Sequence, residues 1–342
     1  MAEIVLGIGC SHSPLLATKP EDWDLRAQDD RKNPAHPFRG KVYSFQELEQ
    51  LRRSENLAEQ IKLDVRRQRD ARNQERLAQL SKTIKSANLD VLVVFGDDQH
   101  EVLLSDNMPA FMVFTGKDVP FKPTSQERLA AMSEGVRVAN WARVPEREMK
   151  LRGVPELATH VVKSAGADGF DIAVSERFLD REKAESGIGH AFGFYYHRLM
   201  NDLADMPKLA TLPILINTFF PPNQPPVRRV LEFGRAVGRA IRSWPVKARV
   251  GIAASGGFSH FVIDEDLDRR LLRAIERRDF ATLLAEPETH YQSGTSEIKN
   301  WIAAAGALDS TDLKFELVDY VPCYRSVAGT GNAMAFGLWH AA

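Results

Sequence analysis

Four of the nine histidines in this 342-residue chain stand just beyond apolar runs or in glycine-rich segments. His12 lies in GCSHSP, His100 in GDDQHE, His190 in GIGHAFGF and His260 in SGGFSH. Each alone is an ordinary loop histidine. Together they suggest more, because strand ends of an α/β protein converge on one edge of its sheet. Two neutral imidazoles and one carboxylate on one face of a metal, with open positions beside them, is the arrangement of oxygen-activating ferrous enzymes. Catalytic zinc accepts a similar set, two histidines and a glutamate, so the residue types leave iron and zinc both open. No C-x-x-C pair occurs, which argues against an iron–sulfur cluster or a structural zinc site.

The elements that would carry these histidines alternate. Strands are predicted at Ile4–Ile8, Asp90–Phe95, Ala110–Phe114, Asp171–Ser175, Leu212–Asn217, Arg249–Ala254 and Lys314–Val321. Helices are predicted within Phe45–Ala87, Ser125–Ala142 and Glu156–Ala165, and at Val227–Ser243, Leu267–Leu284 and Ser296–Ala305, with a last one at Asn332–Leu338. Such alternation predicts an α/β fold, one domain over residues 1–342 with a central mixed or mostly parallel sheet flanked by helices. The Pro-punctuated, Asp- and Arg-rich stretch at about 17–45 is too long for an ordinary connection and reads as a cap or insertion over the site.

Composition narrows the function classes. Hydrophobic residues at 44% suffice for a sizeable core, and a net charge of -1 lacks the basic excess of a dedicated nucleic-acid binder. No run approaches the roughly 18 apolar residues of a membrane span. The start of the chain, MAEIVLGIGCSH, has no signal-peptide pattern, and the two cysteines, Cys10 and Cys323, form no disulfide framework. A cytoplasmic protein is expected. GTGNAM and GIGCSHSP match neither a phosphate-binding loop nor a dinucleotide fingerprint. The Arg- and Lys-rich run at 66–76 reads as a solvated helix face, and His160, His197, His290 and His340 as structural or solvent-facing.

GIGCSHSP, ASGGFSHF and SGTSEIKNWIAAAGAL, in that order and closed by YRSVAGTGNAMAFGLW, resemble the class III extradiol ring-cleavage dioxygenases of the protocatechuate 4,5-dioxygenase catalytic-subunit and gallate or methylgallate type. The resemblance runs from residue 3 to residue 338. It implies a ferrous, non-haem enzyme that opens a catechol-type ring and incorporates both atoms of dioxygen. It implies His12 and Glu297 as metal ligands, His260 as the acid/base, and His190 as a second pocket histidine that bonds the substrate. Glu297 rests on the resemblance alone, since otherwise it reads as a solvent-facing helix residue.

The second imidazole ligand is where the chain departs. The family pairs Asp with His just after the second strand, whereas alignment on Asp98 of FGDDQHE places Gln99 there, with His100 one residue later. His100 is the preferred ligand because imidazole binds iron better than an amide. Gln99, or an acid such as Asp97, is the alternative. His36, in the cap, is a candidate substrate contact. Arg31, Arg39, Lys41 and Arg325 are cations that could meet a substrate carboxylate. The expected partners are a small aromatic diol and dioxygen, with a homodimer as the assembly implied by the resemblance. Two competing readings remain at this level: a zinc hydrolase of similar fold, and a non-catalytic homologue that has lost its site.

Overall fold

The computed structural model describes residues 1–178, 187–200, 206 and 208–341. The described strands are β1 (Glu3–Cys10), β2 (His36–Phe38), β3 (Lys41–Tyr43), β4 (Val91–Gly96), β5 (Phe111–Phe114), β6 (Asp118–Phe121), β7 (Met149–Arg152), β8 (Ala173–Ser175), β9 (Ala210–Ile216), β10 (Arg249–Ser255), β11 (His260–Val262), β12 (Lys314–Tyr324) and β13 (Thr330–His340). Nine of them form one sheet in the order β11-β13-β1-β10-β4-β9-β5-β8, with β12 on the other edge of β13. The centre is parallel: β1 pairs β10, β10 pairs β4, and β4 pairs β9. β13 runs antiparallel to β1, β11 and β12. The fold is the expected single α/β domain with a mixed sheet.

The central strands are apolar throughout because both sheet faces are covered, as parallel sheets require. In β4, Val91, Val93 and Phe95 face one core and Leu92 and Val94 the other. The first face is covered by the helices Val227–Ser243 and Ile298–Leu308, the second by the long helix Leu63–Ser86 and by residues 190–200. Every residue of Ile298–Leu308 is buried, so this helix is enclosed on all sides. It lies so close to Val227–Ser243 that a Cβ on Gly234 would come within 2.0 Å of the Ala303 carbonyl oxygen. That approach sets how closely the two helices pack, and Glu297 stands immediately before the first residue of Ile298–Leu308.

Three sequence expectations change. Asn332–Leu338 is not a helix but the middle of β13. Its Ala333, Met334, Ala335 and Leu338 favour a helix locally, yet it has β12 along one side and β1 and β11 along the other. Those ladders outweigh a propensity worth tenths of a kcal/mol per residue. Ser125–Ala142 breaks into the short helices Gln126–Ala131 and Glu134–Arg137 and a 3-10 turn, Asn140–Arg143. Likewise Leu267–Leu284 is two helices, Glu265–Arg277 and Phe280–Ala285, divided at Arg278, whose φ of 53° ends the first.

Residues 17–45 are ordered structure. The helix Trp23–Lys32 buries Trp23, Ala27 and Asp30, and the β2–β3 hairpin follows it. Asp30 takes a bidentate pair from the buried Arg325 at 2.5 and 2.8 Å. Arg39 forks onto Asp264 at 2.6 Å, and Pro37, Phe38 and Arg39 line a narrow cleft with Ser259, Val262 and Thr295. The segment therefore lies against the part of the chain that carries His260.

Candidate metal centre

The carboxyl ends of β1, β4 and β10 deliver three adjacent turns, and the site is built there. His12 is two residues past β1, Asp97 is the first residue past β4, and Ser255 closes β10. His190 opens the short helix His190–Phe194, and Glu297 ends a 3-10 turn ahead of Ile298–Leu308. His12, Asp97, His190 and Glu297 each offer a ligand atom, and all four atoms lie within 4.8 Å of one another.

Hydrogen bonds decide which nitrogen each imidazole offers. The Ser255 hydroxyl donates its one proton to the Ala191 carbonyl at 2.6 Å, so it accepts from His12 Nδ1–H at 2.9 Å. His12 Nε2 is then the free lone pair, 3.3 Å from Glu297 Oε2. His190 Nδ1 donates to Glu101 Oε2 at 2.6 Å, which leaves its Nε2 3.1 Å from His12 Nε2. Two nitrogens held about 2.1 Å from one first-row metal, at right angles to each other, lie about 3 Å apart. The two Nε2 atoms stand at that separation.

Two buried carboxylates complete the group. Glu297 Oε2 accepts from the Gly257 amide at 2.7 Å, and Oε1 lies 3.2 Å from His260 Nε2 and 3.4 Å from Gln99 Nε2. Burial works against its charge, but His12 and His260 outweigh burial and hold it well below the usual carboxylate range. Asp97 is fully buried, and Asn300 donates to its Oδ1 at 3.2 Å while Oδ2 has no hydrogen-bond partner among the described residues. Burial, reinforced by the charge of Glu297, raises Asp97 to about 6. An orphaned carboxylate oxygen, two convergent imidazole Nε2 atoms and a second carboxylate make a donor set that fits a divalent first-row cation once the imidazoles are neutral. Nitrogen and oxygen donors without thiolate suit ferrous iron.

His260 stands beside this group. Its Nδ1–H donates to the Phe258 carbonyl at 2.6 Å, so Nε2 faces Glu297. A Cβ at Gly294 would lie 2.0 Å from the His260 ring, so only glycine there leaves room for the imidazole. Burial disfavours its charged form, but Glu297 outweighs this and raises its pKa. For His190, burial is likewise outweighed by Glu101, and the imidazole is raised to about 9.

The structure does not bring His100 into the group. Asp98 accepts the backbone amides of Glu101, Val102 and Leu103 at 3.0–3.2 Å, which curls the loop after β4 into a tight turn. His100 then takes a φ of 57° and its ring stacks on Phe220, centroids 3.7 Å apart and 7° from parallel. Gln99 lies beside the group, its Nε2 donating to Glu297 Oε1 at 3.4 Å. His190 is the second imidazole of the group. His36 is buried in the β2–β3 hairpin, bonded through Nε2 to the Asp30 carbonyl and edge-on to Phe45. Of the four cations considered for a substrate carboxylate, Arg325 is committed to Asp30 and Asn332, and Arg39 to Asp264.

Sequence reasoning missed Ser255, Asn300 and Glu101, the residues that orient the ligands. Ser255 carries a faint signal, as the last residue of an apolar strand run. Its partner His12 becomes apparent only once Cys10 is known to pair with Ser255 across parallel strands.

A family model described as the catalytic LigB subunit of aromatic ring-opening dioxygenase matches residues 62–335. The chain belongs to that family. Among curated proteins, the 2,3-dihydroxyphenylpropionate/2,3-dihydroxicinnamic acid 1,2-dioxygenase of Azotobacter vinelandii (strain DJ / ATCC BAA-1303) is similar: 27% identical over 189 residues, 54% of this chain and 48% of that protein. The chain thus spans about half the length of this relative. The LigB-type match covers His100, His190, His260 and Glu297, while His12 lies before it. No helix among the described residues is long and apolar enough to cross a membrane.

Proposed function

We propose that this chain is a non-haem Fe(II)-dependent extradiol dioxygenase that opens a catechol-type ring, with His12, His190 and Glu297 as the ligands and Asp97 as a further carboxylate beside them. The observation that carries the reading is the pair of convergent Nε2 atoms 3.1 Å apart, next to an orphaned buried carboxylate oxygen, in a chain of the LigB family. Bound there, ferrous iron would supply a common site for the diol and dioxygen, through which the electron-rich ring can reduce oxygen.

The protein's own contribution is positioning and proton transfer. His260 Nε2 is the atom placed to accept a hydroxyl proton from the incoming diol and to return it later. Its Nδ1–H is tied to the Phe258 carbonyl, so the proton that moves is the one on Nε2. Glu297 stabilises the imidazolium that forms, at 3.2 Å. The walls that exclude water include the segment 17–45, proposed here as the cap, through its hairpin against β11. The substrate class is a catechol of the protocatechuate, gallate or methylgallate kind, and the relative's name adds 2,3-dihydroxyphenylpropionate to the set to be tried. A cytoplasmic homodimer completes the proposal; both cysteines are free and buried, as suits a reducing compartment.

The test is oxygen uptake by anaerobically Fe(II)-loaded protein offered these diols. Uptake that yields a ring-opened product and disappears in His12→Ala and Glu297→Ala supports the reading. Iron bound tightly with no uptake for any diol in the set, or zinc retained in preference to iron, overturns it.

A further inference from the structure

The loop after β4 contributes more than Asp97. Asp98 gathers three backbone amides and thereby turns Glu101 inward, where it is buried and faces His190. Glu101 Oε2 accepts from both the backbone amide of His190, at 2.9 Å, and its Nδ1, at 2.6 Å. Two bonds from one carboxylate oxygen to the backbone and ring of the same residue fix the ring's rotation as well as its tautomer. Space is reserved for this contact: a Cβ on Gly189 would lie 2.6 Å from Glu101 Oε2. Arg143 approaches Oε1 at 3.4 Å and balances the buried charge.

We propose that Glu101 is a positioning residue that makes His190 a metal ligand, so that the turn after β4 supplies its imidazole indirectly, through the carboxylate that orients a histidine from another element. A carboxylate on the far nitrogen of a ligating histidine fixes its orientation and raises its basicity, and loss of such a partner weakens metal binding by about 10–100-fold. The proposal rests on His190 being a ligand, as argued above. It also accounts for the sequence departure at FGDDQHE. With His190 held in place, Gln99 need not ligate and His100 is free to stack on Phe220.

Cobalt(II) is a suitable probe, because its visible bands report the ligand field and its affinity is read by competition with a chelator, with no turnover required. Glu101→Gln keeps the size and an acceptor oxygen but removes the charge; Glu101→Ala removes both. Both are expected to lower Co(II) affinity, Ala about 10–100-fold and Gln less, with a shift in the visible bands while the metal-free proteins remain folded. If Glu101→Ala does not fold, Glu101→Gln decides alone. Unchanged affinity and unchanged bands in the folded Glu101 variants, with affinity lost in His190→Ala, overturn the role of Glu101 and leave the ligand set intact. Wild-type affinity and bands in His190→Ala overturn the ligand set itself, and the proposal with it.

Discussion

Ser255→Ala probes the site through a residue that lies outside the four clustered groups and bonds one of them, His12. The hydroxyl is fully buried and makes two bonds, accepting from His12 Nδ1 at 2.9 Å and donating to the Ala191 carbonyl at 2.6 Å. Truncation leaves a buried N–H and a buried carbonyl each short of a partner, at about 1–3 kcal/mol apiece. The carbonyl keeps a second lone pair for other contacts, so about 2–4 kcal/mol is expected in total. The functional effect is separate. Without an acceptor at Nδ1, the neutral imidazole is free to carry its proton on Nε2, where Glu297 Oε2 waits at 3.3 Å, and that tautomer has no lone pair on the nitrogen that faces the group. Divalent-metal affinity is therefore expected to fall about 10–100-fold, or about 1.4–2.8 kcal/mol. Urea unfolding of the metal-free protein reads the first quantity and chelator competition with Co(II) the second. A variant that loses stability but binds Co(II) as tightly as the wild type would refute the assignment of the His12 tautomer. A variant with both unchanged would refute the hydrogen-bonding scheme.

Other expectations follow from the same geometry. His260→Gln is expected to keep Co(II) affinity within a few-fold while turnover with a productive diol drops by about 10²–10⁴, since only proton transfer is removed; a matching loss of metal would assign His260 to the ligand set. His100→Ala is expected to leave Co(II) affinity unchanged, because its ring stacks on Phe220, and a large loss would restore it as a ligand. Asp30→Asn is expected to cost about 3–5 kcal/mol by stranding the buried Arg325, read by urea unfolding. Burial opposes the Asp30 charge, but Arg325 outweighs it and holds the carboxyl below the usual range. Its stabilising share is therefore present above pH about 4 and lost as pH falls through the folded pKa. The variant should show a flatter loss of stability in acid, and an identical acid profile would contradict the pairing. Gly234→Ala forces a methyl against the Ala303 carbonyl, and a loss of about 1–3 kcal/mol is expected; no loss would mean the two helices can separate freely.

The sequence by itself determined the fold class and most of the strands. Buried parallel strands must be continuous apolar runs, and DVLVVF, LPILIN and RVGIAA are legible as such without any partner in view. It also singled out His12, His190, His260 and Glu297, residues that the structure brings into or beside one group. The assignment that local reasoning could not make was the second imidazole. Along the chain His100 stands closest to the expected position, and chemistry alone prefers it to Gln99. The tertiary structure places His190 rather than His100 beside His12, because three amides folded onto Asp98 turn His100 toward Phe220 and point Glu101 at His190, 89 residues further along the chain. Asn332–Leu338 teaches the same lesson for secondary structure: its own residues suit a helix, and only neighbours on both edges make it a strand. Sequence patterns record what each residue prefers near its chain neighbours. Ligand tautomers, orphaned oxygens and ladder partners belong to pairs of residues far apart in the chain, and only the folded molecule brings those pairs within hydrogen-bonding distance.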